Sequence, residues 1–150
     1  LAVPYAALEE LIPQLDLDGR VTVDCTNAVD PRGPSPLPQP GPDGSGLAVV
    51  TRLAPRTRAV KGLNTLGSGL LGHAGDAPGA VTFVAGDDAD AKRTLATLAA
   101  DLGFAETVDL GGLDAAPLVE AAAAIWIDLA YRQGRGPDFA LSLTSPPARG

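Results

Sequence analysis

Arg20-Val21-Thr22-Val23-Asp24-Cys25-Thr26-Asn27 is the stretch that decides the fold. Its β-branched residues, bounded by polar ones, read as a buried strand. Upstream, Ala7, Leu8, Leu11, Ile12 and Leu15 share one helical stripe, while Glu9 and Glu10 face away from it. Pro4 suits the first helical turn, where its missing N–H is not needed. That helix is expected to end near Asp18-Gly19. Ahead of it, Leu1-Ala2-Val3 reads as the tail of a strand. Strand, helix, strand is the rhythm of a βαβ unit and a parallel sheet.

The rhythm continues downstream. Leu47, Val50, Leu53 and Ala54 recur at helical spacing, and residues 58–64 read as a strand. Residues 80–85 form the clearest strand of the chain. Asp87 or Asp88 is placed to cap a helix over residues 89–102, with Leu95, Leu98, Ala99 and Leu102 inward and Gly103 at its end. A short strand is expected over 104–110. Asp114 is then placed to cap a long helix reaching about Tyr131, with Leu118, Ala122, Ile125, Trp126 and Leu129 as its apolar stripe. Residues 139–143 alternate weakly, as an edge strand does. The expected class is α/β with a mostly parallel sheet.

Composition narrows the function. A length of 150 residues suits one domain. With 45% hydrophobic and 19% charged residues, a packed core is expected rather than a disordered chain. Eighteen acidic against eleven basic residues give a net charge of −7, which argues against an electrostatic nucleic-acid binder. No apolar run reaches the roughly 18 residues that span a bilayer. A single cysteine excludes an internal disulfide scaffold and fits a reducing compartment such as the cytoplasm. Residues 30–46 carry six prolines and four glycines, which breaks any helix or ladder. That segment is either a lid or binding loop, or a surface excursion. Residues 144–150 are expected to fray. The chain has no methionine and opens on an apolar run, so it is expected to be the rear part of a longer protein.

Individual motifs are modest. Gly67-Ser68-Gly69-Leu70-Leu71-Gly72 matches G-x-G-x-x-G, with Asp87 and Asp88 following the next strand. The seven residues from His73 to Gly79 leave no room for the crossover helix that a dinucleotide fingerprint needs, so a permissive turn with at most a short helix is expected. Asp24-Cys25-Thr26-Asn27 and Asn64-Thr65-Leu66-Gly67 each close a strand. Either could be a plain turn. At the carboxyl ends of strands in one sheet, both would point into one ligand crevice. His73 reads as an exposed loop residue and Cys25 as a small core residue. Trp126 and Tyr131 are expected to pack the last helix on the sheet. Neither a catalytic dyad or triad nor a metal cluster is suggested.

Leu1-Ala2-Val3-Pro4, Val23-Asp24-Cys25-Thr26-Asn27, Val60-Lys61-Gly62-Leu63-Asn64-Thr65 and Gly86-Asp87-Asp88 occur in this order. The array resembles the NADPH-dependent coenzyme F420 reductase family, the F420:NADP oxidoreductase-like dinucleotide-binding proteins. Ile125-Trp126-Ile127, Leu129-Ala130-Tyr131 and Gly136-Pro137-Asp138-Phe139-Ala140 look like that family's closing helix and strand. The resemblance spans nearly the whole chain. It implies a Rossmann-like fold with helices on both faces of the sheet, here N-terminally truncated, so that residues 1–150 form one incomplete NAD(P)-binding domain. It implies hydride exchange between NADP(H) and a deazaflavin (coenzyme F420) or a flavin, and it suggests a homodimer. By the same resemblance, Ala2, Val3 and Pro4 lie along the NADP site. Thr26, Asn27, Asn64 and Thr65 line the crevice where the two rings meet, with Leu66 and Gly67 near the second ring. Such chemistry needs no side-chain acid or base. The family's opening strand and true G-x-G-x-x-G do not occur in this sequence, and without them the pyrophosphate lacks its main anchor. A non-catalytic Rossmann-like binding module is the alternative, and an NAD(P)-dependent reductase of a small imine or keto substrate is another.

Overall fold

The computed structural model describes residues 1–30, 33, 35 and 37–146. Strand β1 (Val21–Asp24) pairs in parallel with β2 (Arg58–Lys61), Val23 opposite Val60. Strand β3 (Val81–Val84) pairs in parallel with β4 (Glu106–Asp109). The two pairs meet at Lys61 and Ala85, whose main chains exchange hydrogen bonds of 2.8 and 3.2 Å. Parallel neighbours need a crossover, and helices supply it. Helix α1 (Leu8–Leu11) precedes β1, α2 (Gly46–Leu53) leads into β2, and α3 (Ala89–Asp101) joins β3 to β4. Helix α4 (Ala116–Ile127) follows, continued by one wider π turn over Asp128–Arg132. Side chains alternate across a strand, so neighbours on β2 face opposite layers. Val60 packs with Val84 and with Ala91 and Leu95 of α3, while Ala59 packs with Leu47 of α2 and Ala116 and Val119 of α4. Helices therefore cover both faces of the sheet, in an α/β, Rossmann-like arrangement.

Several elements depart from expectation, each for a local reason. Leu1, Ala2 and Val3 form no strand; the Leu1 carbonyl accepts one hydrogen bond of 2.9 Å from Cys25 N beside β1. The first helix stops at Gln14 instead of Asp18, and it is tightened into 3-10 turns at both ends. Pro13 removes an N–H there, and Leu15 is already extended. Leu8 and Ile12 of the expected stripe are buried, whereas Leu15 is exposed. Residues 30–46 end in a 3-10 turn (Gly41–Asp43), and Ser45 caps α2 by accepting from Ala48 N. On α3, Leu95 and Ala99 are buried but Leu98 is exposed. Residues 139–143 contribute only an antiparallel bridge between Ser142 and Ala80. Of the tail expected to fray, residues 147–150 lie outside the described residues.

Helix α4 departs most. Asp114 sits in a 3-10 turn (Leu113–Ala115) and does not cap the helix. Of the expected inward stripe, Leu118 and Ile125 are 62% and 60% exposed, and only Trp126 is buried. Val119, Glu120, Ala123, Ala124, Trp126 and Ile127 face inward instead. Apart from Glu120, α4 has no charged side chain, and four successive alanines, 121–124, mark out no face of it. Its rotation about its own axis then follows from tertiary contacts and not from its own periodicity.

Asp88 fastens the second crossover. Its carboxylate accepts from Ala91 N at 2.8 Å as the α3 cap, and it receives a two-pronged bond from Arg58 of β2 at 2.7 and 3.0 Å. The guanidinium first, and the capped N–H second, hold this carboxyl down at about 2. A depressed folded-state value means that its contribution to stability is complete above the ordinary aspartate range and is lost as pH falls toward 2. An NMR titration should place the Asp88 midpoint at about 2, and in Arg58→Ala it should climb toward roughly 4. An unchanged midpoint in the variant would contradict this assignment of cause.

Candidate functional site

Beyond the carboxyl ends of β1 and β2 the chain breaks from the sheet at two adjacent points. Two residues after β2 ends, Leu63 takes a left-handed backbone with φ of 55°, uncommon for a residue with a side chain. Asn64 then faces Asn27 at the end of β1. Asn64 Nδ2 donates to Asn27 Oδ1 at 2.9 Å and also to Val119 O at 3.3 Å, and Asn27 Nδ2 reaches Asn64 O at 3.4 Å. The two strand ends thus face each other across one bracket.

Two cavities flank that bracket. The larger, about 670 Å³, is bounded by Val3, Pro4, Tyr5, Thr26, Asn27, Ala28, Val29, Asp30, Gln39 and Ile127 among others. The smaller, about 340 Å³, is bounded by Ala2, Asn64, Leu66, Gly67, Trp126 and Tyr131 among others. Cys25, Asn27 and Ile127 line both, so the two cavities adjoin at these residues. Among the described residues, neither cavity has a Lys or Arg on its wall.

The residues singled out in the sequence distribute unevenly. Val3, Pro4 and Thr26 reach the larger cavity, Ala2, Asn64, Leu66 and Gly67 the smaller, and Asn27 both. Thr65 lines neither cavity; it is buried, and its hydroxyl has no hydrogen-bond partner among the described residues. The Thr26 hydroxyl is turned toward Gly46 of α2. Gly67 packs where a Cβ would stand 2.8 Å from Pro137 O and 3.3 Å from Trp126, so only glycine fits that wall. The G-x-G-x-x-G run leads into a 3-10 turn (Leu71–Asp76) and not into a crossover helix. His73 is exposed on that turn and borders neither cavity. Cys25 borders both cavities as well as packing against the core, and burial pushes its thiol up. Trp126 stacks on Phe139 with ring centroids 5.4 Å apart and meets Tyr131 edge-on at 6.0 Å, so the aromatic pair is a cavity wall in addition to helix packing.

Behind the floor of the larger cavity lies a buried ionic cluster. Lys61 Nζ donates to Asp24 Oδ2 at 2.9 Å, to Thr26 O, and to Glu120 Oε1 at 2.8 Å. All three charged side chains are essentially inaccessible to solvent. Asp24 Oδ1 accepts from Thr26 N at 2.9 Å. Glu120 accepts from Ala28 N at 3.2 Å and from Gly46 N at 2.7 Å. The cluster therefore sets the main chain of Thr26 and Ala28, on either side of the bracketing Asn27. Lys61 and Glu120 were not legible as site residues. The usable signal was a lone charge, Glu120, in the otherwise uncharged α4 segment, because buried charges persist only when paired.

No protein-family model matches the chain, and no curated protein sequence matches it. Among solved structures, the chain is similar to a candidate F420-dependent NADP-reductase from Arthrobacter sp. FB24, with 29% identity and a TM-score of 0.80 over 96% of this chain and 68% of that one. The family resemblance read in the sequence is borne out. A hypothetical protein from Sinorhizobium meliloti is similar at 34% identity and a TM-score of 0.64, over 78% of this chain and 58% of its own. Fold and sequence thus agree with the F420:NADP oxidoreductase-like, dinucleotide-binding resemblance. No helix among the described residues is long and apolar enough to cross a membrane.

Close packing at the cluster is directly testable. A Cβ on Gly46 would crowd Thr26 Oγ1, stand 2.8 Å from Asp24 Oδ2 and 3.3 Å from Lys61 Nζ. Gly46→Ala is expected to lower unfolding stability by about 1–3 kcal/mol, measured by urea denaturation. Wild-type stability in that variant would show that the cluster tolerates displacement.

Proposed function

We propose that the protein passes a hydride between NADP(H) and a deazaflavin of the coenzyme F420 type, or a flavin, with the nicotinamide in the larger cavity and the second ring in the smaller. The observation that supports this reading is that two ring-sized cavities adjoin at the Asn27–Asn64 bracket, with Cys25, Asn27 and Ile127 bordering both, so that rings entering from the two sides could touch along that shared edge. The coenzymes supply the hydride chemistry, and the protein's task is alignment.

The walls suit rings. Val3, Pro4, Val29 and Ile127 offer apolar faces on one side, and Leu66, Leu71 and Trp126 on the other. Polar recognition is sparse: the Asn27 amide, nearby main-chain groups, and Asn64 Oδ1, which is buried with no hydrogen-bond partner among the described residues. An unpaired buried acceptor at a cavity wall is suited to a ligand N–H. With neither Lys nor Arg among the described residues of these walls, they fit the ring ends of the coenzymes better than their phosphates. Within this reading Asn27 and Asn64 orient the rings, and Ile127, Leu66 and Trp126 exclude water. A reducing cytoplasm suits the activity and the one free cysteine.

NADPH oxidation by the full-length protein should be followed with a deazaflavin, a flavin and a small imine as acceptors. Turnover with the deazaflavin or flavin is expected, and turnover of the imine alone overturns the reading. Asn27→Ala should lower kcat/KM by roughly tenfold to a hundredfold, the scale of losing about 1 Å of alignment.

A homodimer through α4 belongs to the same proposal. Leu118 and Ile125 are both more than half exposed on α4, whose one charged side chain, Glu120, is buried, an arrangement that a second copy would cover. Ile125→Glu is expected to give a monomer in analytical ultracentrifugation where the wild type is a dimer; equal masses for the two proteins sink this part of the proposal.

A further inference from the structure

Main-chain pairing lapses where the chain borders the smaller cavity. Gly62 N donates to Asp24 O at 3.1 Å, and Leu63 N donates to Thr82 Oγ1 at 3.3 Å. Pairing resumes at Leu70 N, which donates to Gly67 O at 2.9 Å. Between these points the N–H groups of Asn64, Thr65, Leu66 and Gly67 donate to no described residue, although all four residues are buried. Buried N–H groups are nearly always paired, so such a run calls for a partner from outside the chain. Two oxygens of the same segment, Asn64 Oδ1 and Thr65 Oγ1, are also buried without a partner among the described residues. Asn64, Leu66 and Gly67 border the smaller cavity, where Leu71, Trp126 and Ile127 supply apolar faces. Neutral donors and acceptors set in apolar surroundings suit a flat ring with one polar edge. Main-chain N–H groups also hold anions, but among the described residues this wall has no Lys, Arg or His to share such a charge.

We propose that residues 64–67 read the carbonyl, N–H, carbonyl edge of a 2,4-dioxopyrimidine ring, the part that deazaflavins and flavins have in common. The inference rests on the reading of the smaller cavity as the site of the second ring. The two ring oxygens accept from main-chain N–H groups of this segment, and the imide N–H between them donates to Asn64 Oδ1. An edge that alternates acceptor, donor, acceptor answers both kinds of unpaired group at once.

The experiment titrates the full-length protein with 10-methyl-5-deazaisoalloxazine, a ring with neither side chain nor phosphate, and with its N3-methyl derivative. Calorimetry gives the affinities, and NMR follows amide hydrogen exchange. The parent ring is expected to bind roughly tenfold more tightly than the N3-methyl ring, the scale of one blocked hydrogen bond. It is also expected to slow amide exchange within residues 64–67 by roughly tenfold or more, the scale of one hydrogen bond gained. Asn64→Leu separates hydrogen bonding from bulk. With the acceptor gone, the two rings should bind within about twofold of each other, whereas a purely steric penalty on the methyl group would persist and overturn the inference. Equal binding of the two rings by the wild type, or binding without slower exchange at 64–67, overturns it while leaving the ring site standing; these two readouts suffice where the variant does not fold. Inorganic phosphate that slows the same amides when the ring does not would make the segment an anion site and overturn it too. Failure of the wild type to bind either ring sinks the second-ring reading and the inference with it.

Discussion

One ammonium group organises this protein. Lys61 stands where the two strand pairs meet, its main chain bonded to Ala85 and its side chain closed around Asp24, Thr26 O and Glu120. Taking such groups out of water is costly, and only complete pairing offsets the penalty. Completeness is what couples distant parts of the chain: Asp24 comes from β1, Lys61 from β2, Glu120 from α4, and the glutamate's remaining bonds come from Ala28 and Gly46. Displacing any one of these elements would strand a charge. The cluster is therefore a registration device, whatever its net contribution to stability.

That registration is what a hydride-transfer site needs. The chemistry of two coenzymes meeting ring to ring requires few reactive side chains and a great deal of alignment. The proposed site has this character. The edge shared by its two cavities, at Cys25, Asn27 and Ile127, is held from behind by ionic bonds and from the side by Asn64, and Val3, Pro4, Leu66 and Trp126 give its walls apolar faces. The unusual backbone at Leu63 fits the same pattern, because strained positions gather where a site must be held in one geometry. The similarity to a candidate F420-dependent NADP-reductase and the local geometry point in one direction while resting on separate observations.

How far the sequence could be read depended on whether a signal was local. The strands at 21–24 and 81–84 announce themselves through β-branched runs, and Asp88 and Gly103 punctuate α3 as capping rules dictate. The two Asn-bearing strand ends were legible because a parallel sheet gathers its strand termini at one edge. Helix α4 was not. Its alanines make every face acceptable to a core, and spacing alone chose Leu118, Ala122 and Ile125, while the fold turns Val119, Ala123 and Trp126 inward. Glu120 explains the outcome, because its carboxylate has to reach Lys61. Pairings across 37 residues for Asp24 and Lys61, or 74 for Gly46 and Glu120, leave no trace in local periodicity.

By itself, then, the amino-acid sequence determined the α/β alternation, the parallel class of the sheet, the turn at 67–76 in place of a crossover helix, and the strand ends that carry Asn27 and Asn64. Those features arise from interactions between neighbours along the chain: propensity, capping and the length a crossover requires. Only the tertiary structure decided the rotation of α4, the burial of Lys61 with two carboxylates, and the division of one crevice into two cavities. Each of these depends on which residues from separate elements can satisfy one another out of water, and burial makes that demand only after the elements have packed.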